Sequence, residues 1–589
     1  MYSKKHWVFR PEIEKSRAAT FAAELGIEVP LATLLLLRGI ETVEAAHRFF
    51  APSLQHFHDP FLMKDMDVAV ERILKAIETD EKVMIYGDYD VDGTTSTALL
   101  VNFLSEYLST VKFYIPDRYI DGYGISQRGI DYAADSGVTL VITVDCGIKA
   151  SQEVAYAKSR GVDFIVSDHH LPEDHLPEAV AILDPKRVDC SYPFEDLSGC
   201  GVAFKIVQAI AIKKGLSIEN IAYLLDLVVV SIAADIVPLI DENRVLAHFG
   251  LIQLNSPYAN RGLSAIIDIS GLRRGSITIE DIIFKIGPRI NATGRMEIAI
   301  DPDDLRAQSG GRNAVKLMTA INEDRAKKYV EIIEEFNSKR KNEDRIVTDE
   351  AFRIIESDPQ LAQRSCTIIY KPEWMKGVMG IVASRLIEGY YRPTVVLTQS
   401  NGMITGSARS VPGFDLYAAV ESCADLLQNF GGHTYAVGLT MHPDNYEEFC
   451  ARFEKFVVEN INKARLEQKI KVDMELQISH ITPNFRRALE RLAPFGPGNP
   501  SPVFVSRGVR DNGSARKVGI GGEHLRLTLY EEGQQLKSIE AIGFSMSEFF
   551  PHVASGGSVD ICYTISENHY GRRITPQLKL KDIEVIDFR

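Results

Sequence analysis

The sequence predicts an α/β protein of several domains that ends in a small β-barrel. Three observations predict it. Between residues 83 and 183, short β-branched runs alternate with helix-compatible segments, the pattern of a parallel sheet covered on both faces. Asn313–Lys341 is long, charged and amphipathic, and a second, smaller α/β pattern follows it. From Lys469 onward, alternating runs with glycine-rich turns replace that pattern. A chain of 589 residues suits about four domains. It divides into 1–310 (N-terminal helices plus the parallel-sheet domain), 311–345 (a connector helix), 346–465 (the smaller α/β domain) and 466–589 (the barrel). A composition 45% hydrophobic and 25% charged excludes collagen, disulfide-scaffold and disordered-tail classes.

Taken in order, residues 1–80 read as mostly helical, with a leucine-rich stretch at Leu31–Ala51 and an amphipathic one at Val68–Ile77. The parallel strands are expected at Val83–Tyr86, Lys112–Ile115, Leu140–Val144, Phe164–Val166 and Ala179–Leu183, with a helix over Thr94–Leu104. In Asn313–Lys341, Met318, Ile321, Tyr329, Ile332, Ile333 and Phe336 fall near one face. A solvated surface helix would look alike, but the α/β pattern that resumes afterwards favours a connector. The second domain offers strands at Cys366–Tyr370 and Thr394–Leu397. The barrel offers Lys471–Ile478, Leu525–Tyr530, Ser538–Ile542, Val559–Ile565 and Gln577–Ile586.

The strongest chemical signal is Gly87-Asp88-Tyr89-Asp90-Val91-Asp92-Gly93, directly after the first of these strands. Three aspartates in five residues repel one another, so a cation or a helix N-terminus must compensate them. An EF-hand fails, because Leu99 stands where its twelfth-position glutamate belongs. A structural turn remains the alternative on this motif alone. Asp145 ends another strand, Asp168-His169-His170 ends the next, and Asp235 follows the apolar run Leu225–Ala234. If those segments are strands of one sheet, Asp90, Asp92, Asp145 and His169 project at its carboxyl edge, where ligands gather in open α/β sheets. Carboxylates with imidazole suit Mn²⁺ or Mg²⁺ better than a closed zinc site. Cys146 adjoins Asp145 without a second thiol at ligand spacing, and reads as a small buried hydrophobe.

A net charge of -14 does not announce nucleic acid, though a local basic channel would suffice to bind it. Seven scattered cysteines without a CxxC pair favour reduced thiols and a cytoplasmic setting. The N-terminus has no apolar signal core, and Leu225–Ile240 is too short and too charged for a membrane span.

GDYDVDG, Val144-Asp145-Cys146-Gly147, Ser167-Asp168-His169-His170 and Ala234-Asp235 together resemble the four motifs of the DHH phosphoesterase superfamily. Gly287–Met296 (GPRINATGRM), Trp374–Leu386 and Pro494–Phe504 (PFGPGNPSPVF) are similar to signatures of its RecJ branch. Gly431-Gly432-His433 with Gly438 resembles the glycine-rich motif of the accessory DHHA1 domain. The resemblance runs in order along nearly the whole chain, departing at Met375, where many relatives carry histidine, and at Val437, where alanine is usual.

That resemblance implies a DHH domain, a DHHA1 domain, a C-terminal OB-type barrel and a two-metal exonuclease acting on single-stranded DNA from 5′ to 3′ in repair and recombination. It implies Asp90, Asp92, Asp145, His169 and Asp235 as ligands of two Mn²⁺ or Mg²⁺ ions, with Asp145 as the bridge and Asp88 either as a support behind the ligands or as a weaker ligand. His170 would bind phosphate or orient a ligand. Arg118, Arg289, Asn291, Arg295, Ser407, Arg409, Gly432 and His433 would line the strand path or hold the 5′ phosphate, as arginines and close backbone N–H groups do. Any one of these arginines could instead serve a salt bridge or stay solvated, and His433 could equally be a core or hinge residue. On the barrel, Arg516, Lys517, Arg526, Arg572 and Arg573 could supply charge, and Phe504, Tyr563 and Tyr570 could stack on bases or fill the core. Partners implied are single-strand binding protein and a RecQ-type helicase. A small-substrate DHH phosphodiesterase and a non-catalytic scaffold are the competing readings. The first leaves the barrel unexplained, and the second leaves the intact carboxylates unexplained.

Overall fold

The computed structural model describes residues 5–118, 120–296, 310–461, 468–534, 537–570 and 573–586. The chain starts with strand β1 (His6–Phe9) and a series of short helices that ends at Glu78. Five parallel strands follow: β2 (Val83–Gly87), β3 (Val111–Tyr114), β4 (Leu140–Val144), β5 (Asp163–Ser167) and β6 (Ala181–Leu183), hydrogen-bonded in the order β3-β2-β4-β5-β6. β2 and β4 are buried along their whole length, as β-branched runs covered on both faces must be. Side chains alternate between two cores. Val83, Ile85, Leu140 and Ile142 pack under helices α1 (Val91–Leu104), α2 (Gly199–Lys213) and α3 (Leu225–Ala234). Met84, Tyr86, Val141 and Phe164 face the other way.

The apolar run Leu225–Ala234 is therefore a helix and not a strand of the sheet. Leu225 to Ala233 are all buried. A run with no polar face has no readable period, so a buried helix and a buried strand look alike in sequence.

The expected connector is two helices. Gly311–Met318 stops, and Asn322 caps a new helix by accepting the Arg325 N–H at 2.9 Å. With the short helix α4 (Gly287–Thr293) preceding it, this second helix is α5 (Glu323–Ser357), 35 residues and about 52 Å long. Its first half contributes Ala326, Val330 and Ile333 to the core on one face of the parallel sheet. Its second half contributes Val347, Ala351 and Ile355 to the next unit. That unit holds β7 (Thr367–Tyr370), helix α6 (Met379–Tyr390), β8 (Thr394–Ser400), β9 (Met403–Arg409), β10 (Leu427–His433) and β11 (Ala436–Met441), in the sheet order β10-β11-β9-β8-β7.

The C-terminal strands are β12 (Lys469–Val472), β13 (Met474–Glu475), β14 (Phe504–Asp511), β15 (Arg516–Val518), β16 (His524–Tyr530), β17 (Ile539–Gly543), β18 (Val559–Tyr570) and β19 (Arg573–Val585). β14-β18-β19-β17-β16 close into a ring through a β14–β16 pairing, and β17 and β19 run parallel. A five-stranded ring with one parallel pair is the OB topology. Phe504 and Tyr563 are fully buried in this barrel with ring centroids 6.0 Å apart, so they are core and not base-stacking platforms. The side chains of Tyr570 and Arg573, and residue Arg572, lie outside the described residues.

Sequence order groups the N-terminal segment with the parallel sheet, but its packing does not. β1 pairs in parallel with β12, and Phe21, Leu31, Leu34 and Leu35 share a core with Phe485, Phe504 and Leu527 of the barrel. No single helix among the described residues is long and apolar enough to cross a membrane.

Candidate metal centre and anion pocket

The carboxylates gather because three strands end together. β2 runs into Asp88, and Asp90 caps α1 by accepting the Gly93 N–H at 3.0 Å. Gly93 has to be glycine: a Cβ there would lie 2.5 Å from the Asp88 backbone N and O. Asp92, in the first turn of α1, is buried. Its carboxylate accepts the Gly199 and Cys200 N–H groups at the N-terminus of α2 at 2.7 and 2.8 Å, and the Ser231 hydroxyl at 2.7 Å. A helix N-terminus thus compensates each of Asp90 and Asp92. It does not serve Asp88, which is 2% exposed and whose Oδ1 has no hydrogen-bond partner. Asp145, after β4, sits in the left-handed region at φ 59°, turning its carboxylate toward the same spot.

His169 Nε2 lies 3.2 Å from Asp145 Oδ1, 3.6 Å from Asp92 Oδ2 and 3.8 Å from Asp235 Oδ2. Three sets of donor atoms fall within 4.8 Å of one another: Asp88, Asp90 and Asp145; Asp92, His169 and Asp235; and Asp145, His169 and His170. Asp145 joins the first set to the histidines. His169 Nδ1 meets the Leu197 carbonyl at 3.0 Å, which leaves Nε2 for the cluster.

The charges show what the cluster lacks. Burial and then Asp90 push Asp88 well above the usual carboxylate range, and burial and then Asp92 raise Asp90. Burial and the other aspartates push Asp145 well up and Asp235 up to about 8. Buried carboxylates each driven toward protonation by the others form a site short of positive charge. Hard oxygen and imidazole donors, with one buried oxygen left over, fit two divalent cations of the Mn²⁺ or Mg²⁺ kind. His170 differs. Burial works against its charge, yet the 2.8 Å bond from Nδ1 to Asp168 lifts it to about 9. Asp168 is correspondingly held low despite its burial.

A basic cluster lies beside these carboxylates, with Arg118 near Asp88 and Arg295 near Asp90. Arg409 and Ser407 on β9 share a 2.7 Å bond. A Cβ on Gly380, in the first turn of α6, would stand 2.6 Å from Arg409 Nη2 and 3.1 Å from Ser407 Oγ, so the helix N-terminus opens onto the same spot. Arg295 is pushed down to about 10, first by burial and then by Arg118, Arg409 and Arg340. Arg118 lies over the Tyr89 ring at 4.4 Å. Several guanidiniums thus share this spot and work against the charge of Arg295.

Of the residues expected on the strand path, Arg118, Arg295, Ser407 and Arg409 come together here. Gly432 and His433 end β10; burial and then His170 hold His433 low. Asn291 lies on α4. Arg289 is committed elsewhere, to Glu334 at 2.6 Å and the Lys285 carbonyl at 2.7 Å. Sequence reasoning missed Tyr123, whose hydroxyl is 3.4 Å from His170 Nε2, and Lys186, whose ammonium donates to the His169 carbonyl. Asp168 was readable only as the first letter of its string, and Arg340 only as one charge on a charged helix.

A cleft of about 1120 Å³ lies between the barrel and the catalytic side. Lys5, Lys469, Lys471, Lys579 and Lys581 line it, with Phe284 and Phe544 exposed. Of the basic residues proposed on the barrel, Arg526 pairs with Glu540 at 2.9 Å, and Lys517 lies over the Phe550 ring at 5.6 Å, outside that cleft.

A parallel sheet with a carboxylate–histidine centre at its carboxyl edge, a basic cluster beside it and an OB barrel define a metal-dependent phosphoesterase built for a polymer. Residues 82–232 match the N-terminal domain of the DHH family, 363–459 the DHHA1 domain and 472–582 the RecJ OB domain. The chain is 36% identical to the single-stranded-DNA-specific exonuclease RecJ of Bacillus subtilis, over all of this chain and 72% of that protein. It is 31% identical to RecJ of Escherichia coli, over 83% of this chain and 85% of that one. The crystal structure of Thermus thermophilus RecJ in complex with Mn²⁺ shares the fold at a TM-score of 0.82, with 24% identity over 99% of this chain and 80% of that one. A structure of exonuclease RecJ bound to manganese matches 68% of this chain and 97% of its own, at 28% identity and a TM-score of 0.57. The chain belongs to the RecJ family.

Proposed function

We propose that this protein is a metal-dependent exodeoxyribonuclease that degrades single-stranded DNA from the 5′ end. The observation that carries the reading is the pairing of two sites: a cluster of carboxylates and histidines whose donor atoms lie within 4.8 Å of one another, with a buried Asp88 oxygen unpartnered, and a group of arginines with Ser407 at the first turn of α6. A phosphodiester held between them, with the terminal phosphate on the arginines, is cut next to a 5′ end.

Asp88, Asp90 and Asp145 would hold one ion and Asp92, His169 and Asp235 the other. Bound there, two divalent ions neutralise the phosphate and lower the pKa of water. The chain's own residues do the rest. Leu197 fixes the His169 tautomer, and Asp168 holds His170 beside the cluster as a hydrogen-bond donor for phosphate oxygen. Arg409, Ser407 and the α6 N-terminus hold the terminal phosphate, and Arg118 and Arg295 add charge on the approach. The hairpin carrying Gly432 and His433 closes the other side. The lysine-lined cleft with Phe284 and Phe544 receives the rest of the strand, by backbone charge and base stacking.

The division of labour follows: a catalytic unit in 1–310, a connector from 311 to 345, a substrate-binding unit in 346–465 and the OB barrel in 466–589, with the N-terminal helices packed on the barrel. A repair and recombination role in the cytoplasm, alongside single-strand binding protein and a RecQ-type helicase, fits an enzyme that needs single strands prepared for it. Hydrolysis of single-stranded DNA with Mn²⁺, followed in parallel with that of dinucleotides and cyclic dinucleotides, tests the reading. Activity confined to the small substrates would replace it.

A further inference from the structure

We infer that the barrel-domain loop Pro494–Pro500 is a positioning element for Asp235, so that the OB domain helps to build the metal centre as well as to hold DNA. The inference rests on Asp235 being a metal ligand. Asp235 ends α3, and the chain then turns in an expensive way. Ile236 is β-branched and left-handed at φ 60°, and Asp241 is left-handed at φ 42°. Such conformations persist only where the surroundings over-determine them. Ile236 does not hold itself, because its side chain is 61% exposed.

The hold comes from the barrel domain. The Leu239 N–H donates to the Pro497 carbonyl at 2.7 Å. Leu239 is 1% exposed, and it packs so closely that a Cβ on Gly496 would lie 2.5 Å from its Cδ1. Gly498 is left-handed at φ 76°, and a Cβ there would lie 2.8 Å from Ile240 Cγ2. The loop itself is locked. Buried Asn499 donates to the Leu492 and Pro494 carbonyls at 2.8 and 2.9 Å and accepts from Arg38 Nε at 2.9 Å. Arg244 donates to the Leu492 and Ala493 carbonyls at 3.1 and 2.8 Å. Gly496, Pro497, Gly498 and Asn499 do not line the lysine cleft, so their role is separable from strand binding. The glycines of PFGPGNP are thereby explained: they let the loop reach the turn that carries Asp235.

The test is direct Mn²⁺ binding to the full-length protein, read by electron paramagnetic resonance, beside single-stranded DNA binding in EDTA. Gly498→Ala pushes on Ile240, and Leu239→Ala removes the contact without adding atoms. If Gly498→Ala does not fold, Leu239→Ala gives the reading alone. Each is expected to weaken Mn²⁺ binding by about tenfold, the low end for loss of an outer-shell support. DNA affinity should stay within about twofold, since the path of the strand is untouched. Ile240→Ala added to Gly498→Ala should restore metal binding by making room. Asp235→Ala is the control. If it leaves Mn²⁺ binding unchanged, the assignment of Asp235 fails. If it weakens binding while Gly498→Ala and Leu239→Ala bind Mn²⁺ as the parent does, only the positioning role is overturned.

Discussion

Replacing Arg409 by alanine separates recognition of the 5′ end from the chemistry. Arg409 carries its charge in a partly buried pocket, 2.7 Å from Ser407 Oγ and against the first turn of α6. A hydrogen bond to a charged group contributes about 1.5–3 kcal/mol, and each 1.4 kcal/mol is tenfold, so the loss is about 10- to 150-fold. If the pocket serves the terminal phosphate, as proposed, the loss should fall on 5′-phosphorylated strands alone. The assay compares kcat/KM on 5′-phosphorylated and 5′-hydroxyl oligonucleotides of one sequence. The parent should prefer the phosphorylated strand, and Arg409→Ala should erase the preference while degrading the 5′-hydroxyl strand as before. An equal fall on both substrates would show that Arg409 acts on the strand at large, and would refute the pocket.

Other consequences are as specific. Asp145→Ala removes the carboxylate shared between the donor sets, so turnover should vanish while circular dichroism stays unchanged. Mn²⁺ should raise the melting temperature of the parent, because it relieves buried carboxylates, and EDTA should reverse the effect; Asp145→Ala should show little of it. Lys205 and Glu242 form a 2.8 Å pair that is wholly buried, with the Tyr192 hydroxyl donating to the same carboxylate. Lys205→Met strands that carboxylate and should cost about 3–5 kcal/mol in denaturant unfolding. Asp226 is buried in α3 and pushed up to about 7 by that burial, against the Asn260 and Leu227 N–H groups. The folded state therefore keeps a proton that the unfolded chain gives up near pH 4. Stability from this group is whole below that value and is lost as pH rises through 7, by at most about 4 kcal/mol. Unfolding midpoints should fall between pH 5 and 8 in the parent, and Asp226→Asn should flatten the fall.

The chemistry was legible because it sits where strands stop. Asp88, Asp90, Asp92, Asp145 and His169 each follow a short β-branched run, so a period and a breaker mark them. Asp235 was legible as a residue but not in its setting, because a ten-residue run without a polar face says nothing about helix or strand. β10 escaped because its glycines and exposed residues leave no alternation to read. β1 escaped for a different reason: its partner, β12, lies more than 450 residues away, and no local pattern encodes a pairing at that distance. Arg289 shows the limit for charge. Its partner Glu334 is one of many acids on α5, and only the packing of α4 on that helix selects it. The cores of Phe504 and Tyr563 make the same point for aromatics: in a small barrel, burial claims them before DNA can.

On the proposed reading, metal and phosphate sites side by side make a nuclease that works inward from a 5′ end. The purified protein with Mn²⁺, given single-stranded and blunt duplex DNA labelled distinguishably at each end, tests it most directly. The account predicts early release of the 5′ label as mononucleotide from single strands only, and none from Asp145→Ala. Early release of the 3′ label, equal attack on the duplex, or no hydrolysis by folded, metal-bound protein would contradict it.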